Sequence, residues 1–108
     1  MRKVCNVDIE NSQEVFDRLK KFINKLKKEL PVEKVYLYGS FARGEVHEGS
    51  DIDLIIVGDF RERLFERIGS VLKLTDLPVE PLVYSNEEFE EMKKTPFIKE
   101  ILKMGKAL

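Results

Sequence analysis

Residues 38–57 read YGSFARGEVHEGSDIDLIIV, and this stretch decides the fold. A short β-rich run, residues 33–38, leads into this stretch and stops at Gly39-Ser40. The stretch ends in DIDLIIV, residues 51–57, the most apolar run of the chain, whose length suits a buried strand. The segment between the two reads as one turn of helix followed by a loop. The sequence therefore predicts two strands joined through a Gly-Ser turn.

Gly39 and Ser40 are the first candidate functional residues. Glycine lets a phosphate group approach the backbone, serine offers a hydroxyl, and the free N–H groups at a helix start favour an anion. The pair alone is a weak signal, because many strand-to-helix turns use Gly-Ser.

Asp51 and Asp53 are the second candidate pair. Side chains alternate across a strand, so both carboxylates project from one face, about 6.6 Å apart along the chain. Two such carboxylates can hold a pair of Mg²⁺ ions about 3.5–4 Å apart, as in nucleotidyl transfer. In the alternative interpretation Asp51 caps the preceding turn and Asp53 is solvated. Asp51 fits that alternative, whereas an unpaired Asp53 inside so apolar a strand is costly to desolvate.

Glu80 is the only acid in a third predicted strand, residues 79–84. The helix between this strand and residues 51–57 has the right size for a right-handed crossover, which makes the two strands parallel. Glu80 then lies at the same end of the sheet as the two aspartates. Gly39-Ser40 reaches that end most directly if its strand is antiparallel, which gives a mixed sheet. Pro81 places the third strand at an edge or on a bulge.

Helix starts are predicted at four capping residues: Asn11, Asp59, Ser85 and Thr95. Glu14, Glu62 and Glu88 follow the first three at the capping-box position, and Pro96 suits the first turn of the last helix. The helix after Asp59 is expected to bury one apolar face, formed by Leu64, Phe65, Ile68, Val71 and Leu72.

The last predicted helix and the tail after it carry more apolar surface than a short terminal helix needs. The residues concerned are Phe97, Ile98, Ile101, Leu102, Met104 and Leu108. This surface either packs on the open face of the sheet or meets a partner protein.

Composition limits the class of protein. A chain of 108 residues and 12.6 kDa is expected to form one domain, residues 1–108, and 43% apolar content excludes intrinsic disorder. The near balance of 19 basic and 20 acidic residues argues against a protein that mainly holds duplex DNA. Cys5 is a lone cysteine, and no apolar run approaches the roughly 20 residues of a membrane span. We therefore expect a cytoplasmic α/β domain.

The spacing of Gly39-Ser40, ten residues and then Asp51-x-Asp53 resembles the signature of minimal nucleotidyltransferases (MNT) of the DNA polymerase beta-like superfamily. The resemblance continues through residues 82–92 and 96–108 and is to the antitoxin type that pairs with HEPN proteins. It implies the polymerase beta-like fold, an α/β (α+β) arrangement with helices packed on a small mixed sheet.

The resemblance also implies a nucleoside triphosphate, most simply ATP, bound with two Mg²⁺ ions. Asp51 and Asp53 match the metal ligands, and Glu80 occupies the position of the third carboxylate, where many relatives carry aspartate. That third acid activates the acceptor hydroxyl and also belongs to the metal site.

Gly39 and Ser40 match the residues that hold the triphosphate in this family. Arg43 matches a family arginine that could meet a phosphate, although pairing with Glu45 or Glu48 is an equal alternative. His47 could be a general base, but a solvated loop position is the simpler interpretation.

Two functions follow from these residues. The first is transfer of a nucleoside monophosphate, AMP from ATP, to an acceptor hydroxyl, which in some relatives is a tyrosine of a separate helical HEPN partner. The second is a non-catalytic nucleotide-binding or antitoxin-like subunit that covers such a partner. The complete Gly39-Ser40 and Asp51-x-Asp53 pattern favours the enzyme.

Overall fold

The computed structural model describes residues 12–39, 42 and 51–108, and these residues form four strands and four helices. The strands are β1 (Val32–Tyr38), β2 (Ile52–Gly58), β3 (Val79–Ser85) and β4 (Lys106–Ala107). The helices are α1 (Ser12–Glu29), α2 (Leu64–Leu72), α3 (Asn86–Met92) and α4 (Pro96–Met104). None of these helices has the length and apolar content of a membrane span.

The strands form one mixed sheet in the order β3-β2-β1-β4, which confirms the predicted fold class. β1 pairs with β2 in the antiparallel sense, with Tyr38 opposite Asp53. β2 pairs with β3 in the parallel sense, with Asp53 beside Glu80. The end of β1 and the beginnings of β2 and β3 therefore meet at one end of the sheet, as the sequence predicted. β3, which contains Pro81, is an edge strand.

Helices cover both faces of the sheet. α1 packs on one face through the periodic apolar residues that the sequence indicated, among them Leu19, Phe22 and Leu26, against Val35 and Leu54. α3 and α4 cover the other face, and their buried residues Phe89, Ile98 and Ile101 pack against Ile55 and Val57. β2 is consequently buried on both sides, which accounts for its nearly continuous apolar sequence.

β4 was not predicted. Its two residues pair antiparallel with β1, and the N–H of Leu108 donates to the Val35 carbonyl at 2.8 Å. Gly105 permits this return, because a Cβ there would lie 2.7 Å from the carbonyl oxygens of both Ile101 and Leu37. Lys106-Ala107 has no strand signal of its own. The pairing arises because the chain leaves α4 beside an unpaired edge of β1.

The predicted start of α2 is wrong. The helix begins at Leu64, and the Glu66 carboxylate accepts the N–H of Arg63 at 3.2 Å, so the box predicted at Asp59 and Glu62 does not form. The N–H of Asp59 instead donates to the Pro31 carbonyl at 2.9 Å, and Phe60 is buried in the core. These tertiary contacts keep the chain extended beyond β2.

The predicted inner face of α2 is also wrong in part. Val71 is buried and Ile68 packs partly against the core, but Phe65 is 87% exposed, and Leu64 and Leu72 are exposed as well. Arg67 takes the buried position instead. Helical periodicity could not indicate a buried arginine, because its partners lie in distant elements.

The Arg67 guanidinium connects the two helical layers across the edge of the sheet. Its Nη1 donates to Glu88 Oε1 of α3 at 2.6 Å and to the Val83 carbonyl of β3 at 3.3 Å. Its Nε donates to the Glu62 carbonyl at 2.7 Å. Glu88 also accepts the N–H of Ser85 at 2.9 Å, completing the predicted capping box of α3. The Arg67 hydrogen bonds, and to a smaller extent the Ser85 N–H, lower the pKa of the Glu88 carboxyl.

We predict that Glu88→Gln destabilises the fold and flattens its acid dependence. Because the folded pKa of Glu88 is lowered, the pair contributes stability above the unfolded value of about 4.3 and loses it as the pH falls through the folded value. Glu88 is about half exposed, so the expected loss near neutral pH is only about 1 kcal/mol. Denaturant unfolding between pH 7 and pH 3 measures both effects.

Glu91→Gln is the matched control on the same helix. Its pair with Lys94 spans 3.3 Å between two side chains that are both about three-quarters exposed. Such a pair contributes little, so this variant should follow the parent curve. Equal unfolding curves for the Glu88 and Glu91 variants would contradict the assigned role of the Arg67 pair.

Candidate active site

Three carboxylates meet where β2 and β3 begin. Asp51 directly precedes β2, Asp53 is its second residue, and Glu80 is the second residue of β3. The parallel register sets Asp53 beside Glu80 on the same face of the sheet, and Glu80 and Asp51 share a hydrogen bond. Asp51 and Glu80 are exposed, whereas Asp53 is partly buried. The structure thus brings the three acids together, where the sequence predicted them.

The pKa values of Asp53 and Glu80 are both raised. Burial and then the charge of Asp51 raise the pKa of Asp53. The pKa of Glu80 is raised most by the hydrogen bond that its carboxyl group donates to Asp51, then by the charge of Asp51, by burial and by the charge of Asp53. Negative charge is therefore concentrated at one point of the sheet. A cation bound there would relieve the repulsion and lower both values.

Gly39 places the backbone of the β1 end against this cluster. Its φ is +77°, which side-chain-bearing residues rarely adopt. A Cβ at this position would overlap the Oδ2 of Asp53 and lie 3.3 Å from its Cγ. Only glycine therefore allows the chain to turn here while Asp53 keeps its position, which is a physical reason for glycine beside the DxD pair.

Tyr38 is a site residue that the sequence reasoning missed. Burial, then the charges of Asp53, Tyr84 and Glu80, raise the pKa of its phenol to about 12. The hydroxyl therefore stays protonated near neutral pH. The signal was available, because Tyr38 directly precedes Gly39 and alternates with Tyr36 on a short strand.

The remaining predicted residues lie outside the described part of the chain. These residues are Ser40, Arg43 and His47, together with the predicted cap Asn11 and the lone Cys5. Their assignments stay predictions.

The acids suit magnesium chemically, although they do not form a cage. Within residues 12–39, 42 and 51–108, no three Asp, Glu, His or Cys side chains are arranged to hold a metal ion by themselves. Mg²⁺ is usually bound by one or two carboxylates together with substrate phosphates rather than by an all-protein cage. The oxygen donors of Asp51 and Asp53, beside an accessible backbone turn, fit that mode.

A cavity of about 270 Å³ lies next to Gly39, on the β1 side of the acids. One wall is formed by Tyr38 and Gly39, and the other by α4 residues, including Phe97, Glu100 and Met104. The Phe97 ring meets the Tyr38 ring edge-on, with centroids 5.9 Å apart. The cavity therefore begins at the same Gly39 that lies against the Asp53 carboxylate.

The sheet, the three acids and the glycine turn correspond to a known class of enzyme. The sequence model of the nucleotidyltransferase domain family matches residues 19–108. The chain belongs to this family and is a nucleotidyltransferase, which confirms the resemblance drawn from Gly39-Ser40 and Asp51-x-Asp53.

Individual relatives agree with this placement. A protein of Methanocaldococcus jannaschii, named as a protein adenylyltransferase, is 32% identical over 93 residues, which are 83% of this chain and 93% of the relative. The crystal structure named as a nucleotidyltransferase from Sulfolobus solfataricus superimposes with a TM-score of 0.62 at 26% identity, over 84% of this chain and 82% of its own.

A more distant similarity supports the fold alone. The crystal structure of a toxin–antitoxin with AMP-PNP has a TM-score of 0.55 and 19% identity, over 82% of this chain and 69% of its own.

We predict that Gly39→Ala disrupts both the site and the fold. The positive φ and the overlap with Asp53 should together cost about 2 kcal/mol, and the displaced carboxylate should lower nucleotidyl transfer. Gly69→Ala in α2 is the control, since a Cβ there meets nothing within 4 Å and should stabilise the helix by about 0.5–1 kcal/mol. Denaturant unfolding and transfer assays on both variants decide the matter; unimpaired transfer by Gly39→Ala would refute the close contact.

Proposed function

We propose that this chain is a Mg²⁺-dependent nucleotidyltransferase that moves AMP from ATP onto an acceptor hydroxyl. The observation that carries the proposal is the cluster of Asp51, Asp53 and Glu80 against the Gly39 backbone. The relative named as a protein adenylyltransferase supports an adenylyl group and a protein acceptor.

Asp51 and Asp53 would hold the metal, sharing it with phosphate oxygens of the nucleotide. When bound, Mg²⁺ screens the negative charge on the α-phosphate and on the departing pyrophosphate. The backbone at Gly39 and the hydroxyl of Ser40 would hold the β- and γ-phosphates, since the missing side chain at Gly39 lets a phosphate approach closely. Gly39 directly follows β1, which lies on one side of β2.

Glu80 lies on the other side of β2, because the sheet order places β2 between β1 and β3. In-line transfer requires the acceptor and the leaving group on opposite sides of the phosphorus. The acceptor oxygen would attack the α-phosphorus and lose its proton to the Glu80 carboxylate. The bond to the bridging oxygen breaks, and pyrophosphate leaves towards Gly39.

The acceptor is proposed to be a hydroxyl, such as a tyrosine, on a separate helical protein of the HEPN type. Within the described residues, the segment after β3 covers the sheet through α3 and α4 and extends it through β4. These elements are therefore engaged in the fold rather than arranged to hold an acceptor. The similarity to structures of a toxin–antitoxin supports a partner of this kind.

A non-catalytic subunit that covers such a partner is the second candidate. The exposed apolar side chains of α2 favour it, above all Phe65, which is 87% exposed. Covering and modifying a partner are compatible, so the experiment must separate them.

We predict that Asp53→Asn abolishes transfer and weakens Mg²⁺-dependent ATP binding without unfolding the protein. Removing a partly buried charge from a cluster of acids should leave stability unchanged or slightly raised. The assay is co-expression with a candidate helical partner, followed by sizing and by intact-mass analysis of the partner for one added AMP. Asp59→Asn is the control, because Asp59 is exposed and lies at the opposite end of β2.

The outcomes separate the two functions. An AMP adduct that persists with Asp59→Asn and disappears with Asp53→Asn supports the transferase. A stable complex in which the partner carries no AMP adduct, with Asp59→Asn as with Asp53→Asn, supports the covering subunit. Undiminished transfer by purified Asp53→Asn would remove Asp53 from the metal site.

We predict that Glu80→Gln slows transfer by about 100-fold or more while ATP binding changes much less, because a general base acts in the transition state. Single-turnover rates and ATP affinity, measured on the same preparation, give the comparison. Equal losses in rate and affinity would make Glu80 a plain metal ligand. Full activity would show that the chain works with two acids.

A further inference from the structure

The cavity between the end of β1 and α4 has no role in the transfer step described above. It starts at Gly39, beside the Asp53 carboxylate, and extends along α4 to Met104. Its volume of about 270 Å³ is slightly below the range for sites of drug-sized ligands, about 300–1,000 Å³. The cavity is therefore large enough for one planar group attached to a nucleotide whose phosphates lie at Gly39.

We propose that this cavity binds the nucleobase of the triphosphate, with Phe97 as the stacking side chain and Glu100 as the hydrogen-bond acceptor. The proposal rests on the function proposed above, since it needs the triphosphate to lie at Gly39-Ser40. It adds a base-binding site on α4 and a preference for bases that carry an amino group.

The aromatic lining is the first argument. Phe97 lines the cavity and is still 50% exposed, whereas Ile98 and Ile101 of the same helix are buried. Its contact with the Tyr38 ring is edge-on, at an interplanar angle of 88°. Exposed aromatic rings beside phosphate-binding groups provide stacking surfaces for bases, and every base offers a π face.

Charge is the second argument. Glu100 is the charged side chain among the described residues that line the cavity. A carboxylate repels phosphate, so the phosphates of the nucleotide are not expected here. It accepts a hydrogen bond from an exocyclic amino group, as acidic side chains do from cytosine in DNA recognition. Adenine presents such a group and uracil does not.

The position of the cavity is the third argument, because it indicates that the occupant is the nucleotide rather than the acceptor. The cavity lies beside β1, whereas Glu80 lies on β3, with β2 between them. An acceptor activated by Glu80 approaches from the β3 side, opposite the leaving pyrophosphate. The nucleoside, which is attached to the phosphates, is therefore expected on the β1 side.

The test compares binding of Mg²⁺-ATP and of Mg²⁺-tripolyphosphate, which lacks the nucleoside, to the full-length chain. Phe97→Ala should weaken ATP binding about tenfold and leave tripolyphosphate binding unchanged, while Phe97→Tyr should retain ATP binding. Leu102→Ala is the matched control, because Leu102 is an exposed apolar residue of the same helix that does not line the cavity. Glu100→Gln should reduce the preference for ATP over UTP.

Each other result overturns the proposal. Equal binding of ATP by the parent chain and Phe97→Ala would show that the base does not lie in this cavity. Equal loss of ATP and tripolyphosphate affinity would show that Phe97 supports the phosphate site or the fold. If Phe97→Ala bound ATP normally but transferred AMP to the acceptor more slowly, the cavity would belong to the acceptor. Failure of the parent chain to bind either compound would overturn the proposed function itself, which distinguishes that failure from the others.

Discussion

The contact between the Gly39 backbone and the Asp53 carboxylate is the constraint on which the site depends. No side chain fits between them, and the backbone turns there with a positive φ. The Gly39 backbone at the end of β1 therefore lies directly against an acid at the beginning of β2. Glycine is required at this position because a Cβ would displace the Asp53 carboxylate.

The position of Asp53 is fixed by the burial of β2 on both faces. Leu54 and Ile56 point to the α1 layer, and Ile55 and Val57 to the layer of α3 and α4. A register shift of one residue would exchange these two sets and would turn Asp53 towards the α1 core, where an unpaired charge is expensive. The burial of residues 54–57 therefore keeps Asp51 and Asp53 at the end of the sheet.

Sequence reasoning succeeded where the signal was local or topological. The Ser85 and Thr95 caps, the parallel crossover to β3 and the meeting of Asp51, Asp53 and Glu80 all follow from short-range chemistry and chain connectivity. It failed where a distant contact decided the outcome. The Asp59 N–H bond to Pro31 delays α2.

Other failures have the same cause. Arg67 takes a buried position because Glu88 and Val83, far along the chain, accept its hydrogen bonds. β4 exists because α4 ends beside β1, and Phe97 belongs to a cavity only because its helix packs near Tyr38.

Two residues limit pairing at the outer edge of β3. Arg67 occupies the Val83 carbonyl and Pro81 offers no N–H, so parts of the outer ladder of β3 are closed to a further strand. Glu80 on that strand remains exposed, so a chain approaching this edge meets a carboxylate where an open strand would otherwise invite pairing.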